Sequence, residues 1–216
     1  MSKSVVLVDY GVGNLLSIRR ALEAAGVNVI QTSNQQQIAS AERIVLPGVG
    51  AFGHCMQELN RFGLVKVLQE YSRSGRPMLG ICVGMQILVE SSEEFGVHEG
   101  LGLISGTVKK IPSRSIDGEV QKVPCVGWCP VSRSSLGNYL GTPLEGTSDG
   151  THFYFIHSYS VKTSNKESIL AETYYGSGSI IVAIKTGNTF GLQFHPEKSS
   201  AAGLDVMRQF LTLKPF

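Results

Sequence analysis

The run Pro77-Met78-Leu79-Gly80-Ile81-Cys82-Val83-Gly84-Met85-Gln86 limits the fold of this chain more than any other stretch. Its apolar first half reads as a strand buried on both faces. Cys82 then has a glycine on each side with one residue between. A strand that turns sharply into a helix needs such small neighbours, because backbone packs on backbone at the corner. The thiol falls at the N-terminus of the helix, where the dipole favours a thiolate. Two readings are open at this point: a cysteine nucleophile, or a buried structural cysteine, since this residue type is among the most buried.

The first half of the chain alternates strand with helix. Val5-Val6-Leu7-Val8 is an apolar strand ending at Asp9, followed by the glycine-rich turn Tyr10-Gly11-Val12-Gly13-Asn14. Leu15, Leu16, Ile18, Ala21, Leu22 and Ala25 have helical spacing, and Gly26 stops the helix. A strand over Val27 to Ile30, a short polar helix over Gln35 to Ala39 and a strand over Ile44 to Leu46 follow. The third strand ends at Pro47-Gly48-Val49-Gly50, and helices are expected over Ala51 to Arg61 and Leu64 to Ser74. Short apolar strands joined by helices indicate a parallel sheet with right-handed crossovers, in which function collects at the carboxyl ends of the strands. Asp9, the Pro47 to Gly50 loop and Cys82 all lie there.

The second half changes character. Strands are expected over Thr107 to Ile111, Gln121 to Val126, His152 to Ser160, Ile169 to Tyr174, Ile180 to Lys185 and Phe190 to Phe194. Asp117-Gly118 has the form of a hairpin turn. Residues Ser132 to Gly150 read as a loop, and a helix over Ala201 to Leu213 closes the chain. The expectation is one α/β domain over 1–216, with a mostly parallel central sheet, flanking helices and added antiparallel strands.

Composition narrows the function classes. A formal charge of +2 implies no nucleic-acid partner, and no run is long and apolar enough to span a membrane. The N-terminus lacks the apolar core and cleavage site of a signal peptide, so the chain is expected in the cytoplasm with its four cysteines reduced. Cys125 and Cys129 lack a second Cys/His pair at ligand spacing, so no metal site is expected. Gly11-Val12-Gly13 suggests a dinucleotide fingerprint, but Leu16 stands where the third glycine belongs.

A cysteine nucleophile needs a base, and the base needs an acceptor to orient it. His195-Pro196-Glu197 supplies both at the end of the last strand. A carboxylate on one ring nitrogen fixes the tautomer and turns the other nitrogen to the thiol. Acyl transfer also needs donors for an oxyanion. The Val83 N–H, just after Cys82, is one; the Val49 N–H of the neighbouring loop is the second, with glycines on both sides that permit its peptide to turn. His54, His98, His152 and His157 are weaker candidates; the last two flank an aromatic strand, where a packing role is expected.

Taken together, Pro47-Gly48-Val49-Gly50-Ala51-Phe52-Gly53, Gly80-Ile81-Cys82-Val83-Gly84-Met85-Gln86 and Gln193-Phe194-His195-Pro196-Glu197 resemble the motifs of class I (triad-type) glutamine amidotransferases. Asp9-Tyr10-Gly11-Val12-Gly13-Asn14-Leu15, Gly127-Trp128, Tyr154 to Tyr159 and Lys198-Ser199 extend the likeness to the glutaminase subunits of imidazole glycerol phosphate synthases, over nearly the whole chain. The resemblance implies a flavodoxin-like fold and hydrolysis of L-glutamine through a thioester on Cys82, with His195 and Glu197 completing a triad. It implies that Gly50, Gln86, Ser158 and Tyr159 hold glutamine. It implies no cofactor for this step, and a (β/α)-barrel cyclase as partner, met through Asn14, Trp128, Tyr154 and Lys198. The family usually has Val-Pro-His before Gly-Trp, where this chain has Val123-Pro124-Cys125-Val126-Gly127-Trp128. That departure falls on the expected partner side. It keeps open an alternative, a variant subunit that supplies ammonia for amidination of a surface-polysaccharide sugar.

Overall fold

The chain is described from a computed structural model over residues 4–114, 118–176 and 178–215. The first half follows the alternation read from the sequence: β1 (Ser4–Val8), α1 (Leu15–Ala24), β2 (Asn28–Thr32), α2 (Gln35–Ser40), β3 (Ile44–Leu46), α3 (Phe52–Arg61), α4 (Leu64–Arg73) and β4 (Met78–Ile81). Each helix buries one stripe. In α3 it is Phe52, Cys55, Met56 and Leu59, and in α4 Leu64, Leu68 and Tyr71, at spacings of three and four. Helix α2 starts at Asn34, whose side chain accepts the Gln37 N–H at 3.0 Å.

After β4 the chain makes a single helical turn, α5 (Val83–Gln86), and then β5 (Val89–Ser92), β6 (His98–Glu99), β7 (Ile104–Lys110), β8 (Cys125–Arg133), β9 (Thr151–His157) and β10 (Tyr159–Lys162). It continues through β11 (Ile169–Tyr175), β12 (Gly178–Thr186), β13 (Thr189–Leu192) and α6 (Ser200–Thr212). Nine strands form one sheet in the order β2-β1-β3-β4-β13-β12-β11-β8-β9. The pairings from β2 to β13 are parallel and those from β13 to β9 antiparallel. A second sheet has the order β10-β7-β5-β6. Strands β3, β4 and β13 are buried along their whole length, as strands covered on both faces must be. No helix among the described residues is long and apolar enough to cross a membrane.

The second half corrects several expectations. The strand placed at Gln121 to Val126 lies at Cys125–Arg133, paired residue by residue with β9. The strand placed at His152 to Ser160 is two strands that separate at Ser158, with β9 in the large sheet and β10 in the small one. Pairing partners, rather than local alternation, set that break. Strands β5 and β6 were not expected; they are short and partly polar, and only their pairing with β7 and each other defines them. His98, one of the weaker histidine candidates, stands on β6. Asp117 of the expected hairpin lies outside the described residues, and Arg114 and Val120 on either side of it form an antiparallel bridge.

At the corner after β4 backbone packs directly on backbone. A Cβ added at Gly84 would lie 2.1 Å from the Leu46 carbonyl oxygen, one at Gly80 2.4 Å from the Gly84 oxygen, and one at Gly48 2.4 Å from the Gly84 nitrogen. The three glycines therefore let β4, α5 and the loop after β3 meet without side chains between them. Gly84→Ala is expected to lower the unfolding free energy by about 3 kcal/mol or more, because backbone must move to admit the methyl group. Gly141→Ala, at a positive φ with open space around it, is expected to cost about 1–2 kcal/mol from conformation alone. Urea unfolding of the two variants measures the difference.

Candidate active site

The corner after β4 is as sharp as its glycines allow. Cys82 has φ 55° and ψ −113°, a strained conformation for a residue with a side chain. Its N–H donates to the Leu192 carbonyl of β13 at 2.8 Å, and its own carbonyl accepts from Met85 and Gln86 at 3.0 and 3.2 Å. These bonds fix the thiol at the carboxyl ends of β4 and β13. The helix beyond is four residues long, so its dipole at the sulfur is that of a single turn.

His195 reaches the same point from β13. Its N–H donates to the Tyr154 carbonyl at 2.9 Å, and its carbonyl accepts from the Ser199 hydroxyl at 2.6 Å. The turn Pro196–Lys198 is a single 3₁₀ turn, closed by the Lys198 N–H donating to the His195 carbonyl at 3.0 Å. It folds Glu197 back so that Oε1 lies 2.8 Å from His195 Nδ1, with both side chains buried. Nδ1 therefore carries the proton shared with the carboxylate, and Nε2 is left without a hydrogen-bond partner. Burial alone would push the imidazole down. The Cys82 sulfur and the Glu197 carboxylate outweigh it and push His195 up to about 9.

A cleft of about 410 Å³ opens over Cys82, Val83 and His195. Val49 and Gly50 of the loop after β3 form one wall, and Gln86, Ser158 and Tyr159 another. Asn14 and Lys198 stand at the same cleft. Neither Val49 N–H nor Val83 N–H donates a hydrogen bond among the described residues. All the candidate residues for catalysis, oxyanion binding and glutamine binding thus converge, with Glu197 behind His195. Trp128 and Tyr154 lie outside the cleft, edge to face with ring centroids 6.1 Å apart. The Lys198 ammonium is 5.8 Å from the centre of the Tyr154 ring.

Three further groups belong to the site. Gln193 is fully buried; its Nε2 donates to Cys82 Sγ at 3.8 Å, and its Oε1 accepts from Gln86 Nε2 at 3.0 Å. Gln86 Nε2 also donates to the Tyr159 carbonyl at 3.1 Å, which leaves its own Oε1 for a ligand. Glu94 lines the cleft and accepts the Phe52 N–H at 2.7 Å; nothing in its local sequence marked it. His157, expected to have a packing role, also lines the cleft. Its Nδ1–H donates to the Tyr159 carbonyl at 2.9 Å, and its Nε2 has no partner. Burial pushes His157 down to about 4, against the opposing pull of that carbonyl.

Cys125 faces inward, opposite to expectation. It is fully buried in register with His157, and its sulfur lies 4.0 Å from that of Cys129. The neighbouring Val126 and Trp128 point the other way and are exposed.

A thiol on a strained corner, a paired imidazole and a buried carboxylate in one cleft are the parts of an acyl-transfer site. The family model for class-I glutamine amidotransferases matches residues 6–213, and the chain belongs to that family. It is 44% identical over 211 residues to imidazole glycerol phosphate synthase subunit HisH 1 of Legionella pneumophila strain Lens, covering 97% of this chain and 99% of the relative. It is 42% identical over 210 residues to subunit HisH of Rhodopirellula baltica, covering 96% and 97%. The structure of PurLQS from Thermotoga maritima shares the fold, with a TM-score of 0.73 at 19% identity over 98% of both chains.

His195 and His157 are expected to titrate far apart, near pH 9 and pH 4. His195 is the charged form below its midpoint, so removing the negative partner in Glu197→Gln moves that midpoint to lower pH and leaves His157 unmoved. Proton–nitrogen correlation NMR of the ring nitrogens follows both.

Proposed function

We propose that this chain is the glutaminase subunit of an imidazole glycerol phosphate synthase. It releases ammonia from L-glutamine and delivers it to a cyclase subunit, which makes imidazole glycerol phosphate and an aminoimidazole carboxamide ribonucleotide in histidine biosynthesis. The observation that carries the reading is the Cys82–His195–Glu197 arrangement, seated in a cleft walled by side-chain amides and backbone N–H groups. The relatives reported above are named for this synthase and not for sugar amidination, which favours the histidine pathway.

The chemistry follows from the groups present. Cys82 attacks the side-chain amide carbon of glutamine, and the N–H groups of Val83 and Val49 bind the oxyanion that forms. The imidazolium of His195 gives a proton to the departing nitrogen, so ammonia leaves and a γ-glutamyl thioester remains. His195, now neutral, takes a proton from water, whose oxygen attacks the thioester carbon. Glutamate leaves and the thiolate returns. Glu197 orients His195 and stabilises its charged form. The sum is glutamine and water giving glutamate and ammonia, with no call on a metal or a nucleotide.

Glutamine is held by Gly50, Gln86, Ser158 and Tyr159. The carboxylate of Glu94 faces the same cleft and suits the substrate's α-ammonium group. The partner is a (β/α)-barrel cyclase, docked on the side of Asn14, Trp128, Tyr154 and Lys198. Trp128 is half exposed there, flanked by exposed Val126 and Ile156. Such an aromatic anchor with apolar neighbours suits the centre of a protein interface.

Glutamine turnover is expected to rise when the cyclase and its ribonucleotide are added. Stimulation only by a sugar-pathway partner would instead support the alternative. Cys82→Ala is expected to lower turnover by on the order of 10⁴-fold or more, while its complex still forms product from added ammonium salt. Trp128→Ala is expected to weaken cyclase binding by about 30-fold, the value of a 2 kcal/mol anchor, with the basal glutaminase rate within twofold. Titration calorimetry and a coupled glutamate assay read the two effects separately.

A further inference from the structure

The loop that walls the cleft at Val49 is fastened from beneath by groups that the catalytic scheme does not use. The Tyr10 hydroxyl, fully buried, donates to the Pro47 carbonyl at 2.6 Å. The Cys55 thiol, fully buried on the first turn of α3, donates to the Val49 carbonyl at 3.5 Å. Past the loop, the Phe52 N–H is held by Glu94 at 2.7 Å. Between the two fastened carbonyls lies one peptide unit, Gly48–Val49. Its carbonyl and its N–H make no hydrogen bond among the described residues. Gly48 is pressed against the backbone of Val83 and Gly84, so the loop cannot shift toward the corner as a body. Orientation of that N–H is therefore set by rotation about the bonds that flank it. The fastened carbonyls on either side limit that rotation.

We propose that Cys55 is a positioning residue for the oxyanion loop: its thiol holds the Val49 carbonyl and, with Tyr10 on Pro47, fixes the frame in which the Val49 N–H meets the substrate oxygen. This rests on the reading of Val49 as an oxyanion donor. Burial pushes the Cys55 thiol up to about 11, so at neutral pH it retains the proton it donates. Cys55 does not touch substrate; it acts through the Val49 peptide.

The test compares Cys55→Ala and Cys55→Ser with the wild-type complex of this chain and its cyclase. Loss of one oxyanion donor costs about 10²–10³ in rate, and a donor left loosely placed costs less. Cys55→Ala is therefore expected to lower kcat for L-glutamine about tenfold, with KM within twofold, and Cys55→Ser to recover most of the loss. Alkylation of Cys82 by iodoacetamide forms no oxyanion, so its rate, followed on the Cys82 peptide by mass spectrometry, is expected to stay within twofold in both variants. A kcat within twofold of wild type in Cys55→Ala overturns the proposal. So does an alkylation rate or a KM that changes in step with kcat, or a Cys55→Ser variant no better than Cys55→Ala. If the wild-type complex releases no glutamate, or Cys82→Ala keeps its rate, the glutaminase reading itself fails, an outcome distinct from indifference at Cys55.

Discussion

The contact between Gly84 and the Leu46 carbonyl governs the rest of this site. Two strands and the loops that follow them approach until main-chain atoms touch, and no side chain larger than hydrogen fits between. Interiors this dense transmit position rather than absorb it. The consequence at Cys82 is a strained backbone that the surrounding hydrogen bonds over-determine. The consequence at Gly48 is a loop lying directly on the corner. Cys82 and the loop that walls the cleft at Val49 are thus brought together by one packing event between β3 and β4.

His195 is positioned by different means. Its strand is held to β4 by parallel pairing, its ring by the Glu197 carboxylate and its backbone carbonyl by the Ser199 hydroxyl. Ser199 also accepts the Tyr154 N–H at 3.0 Å, and the Phe194 ring stacks on Phe153 with centroids 4.1 Å apart. The base is thereby fastened to β9, the strand that carries Tyr154 on its outer side. A displacement of β9 by anything docked against Trp128 and Tyr154 acts on the backbone of His195 through two hydrogen bonds. His195 is thus tied to the strand that carries Tyr154, beside Trp128 of β8, so anything docked on that outer face has a short mechanical route to the Cys82–His195–Glu197 arrangement.

The parallel half of the fold was readable because its physics is local. Strands covered on both faces are apolar throughout, helices alternate at their own period, and glycine marks the corners. The convergence of Cys82, His195 and Glu197 was readable because each follows a strand end. What was missed depends on partners remote in sequence. Strand β5 holds Glu90, Ser91 and Ser92, and only pairing with β6 and β7 makes it a strand. The break at Ser158 exists because β9 and β10 belong to different sheets. Glu94 and His157 became site residues only when those sheets met. Gln193 stood inside a motif that was read, yet its bonds to Cys82 and Gln86 span more than a hundred residues.

The two-residue period of β8 decides what the cysteine at position 125 can affect. On a strand, neighbours point to opposite faces, so Cys125 and Trp128, three positions apart, cannot share a side. Cys125 is buried against β9 opposite His157, and Trp128 is exposed. A change from histidine to cysteine there leaves the outer face unaltered and acts inward. Burial pushes its thiol up to about 12, helped by Cys129, so it enters the space beside His157 as a small neutral group where a histidine would bring a second imidazole. The departure from the family pattern therefore bears on the environment of His157 at the floor of the cleft, and the exposed surface around Trp128 keeps the form it would have with either residue.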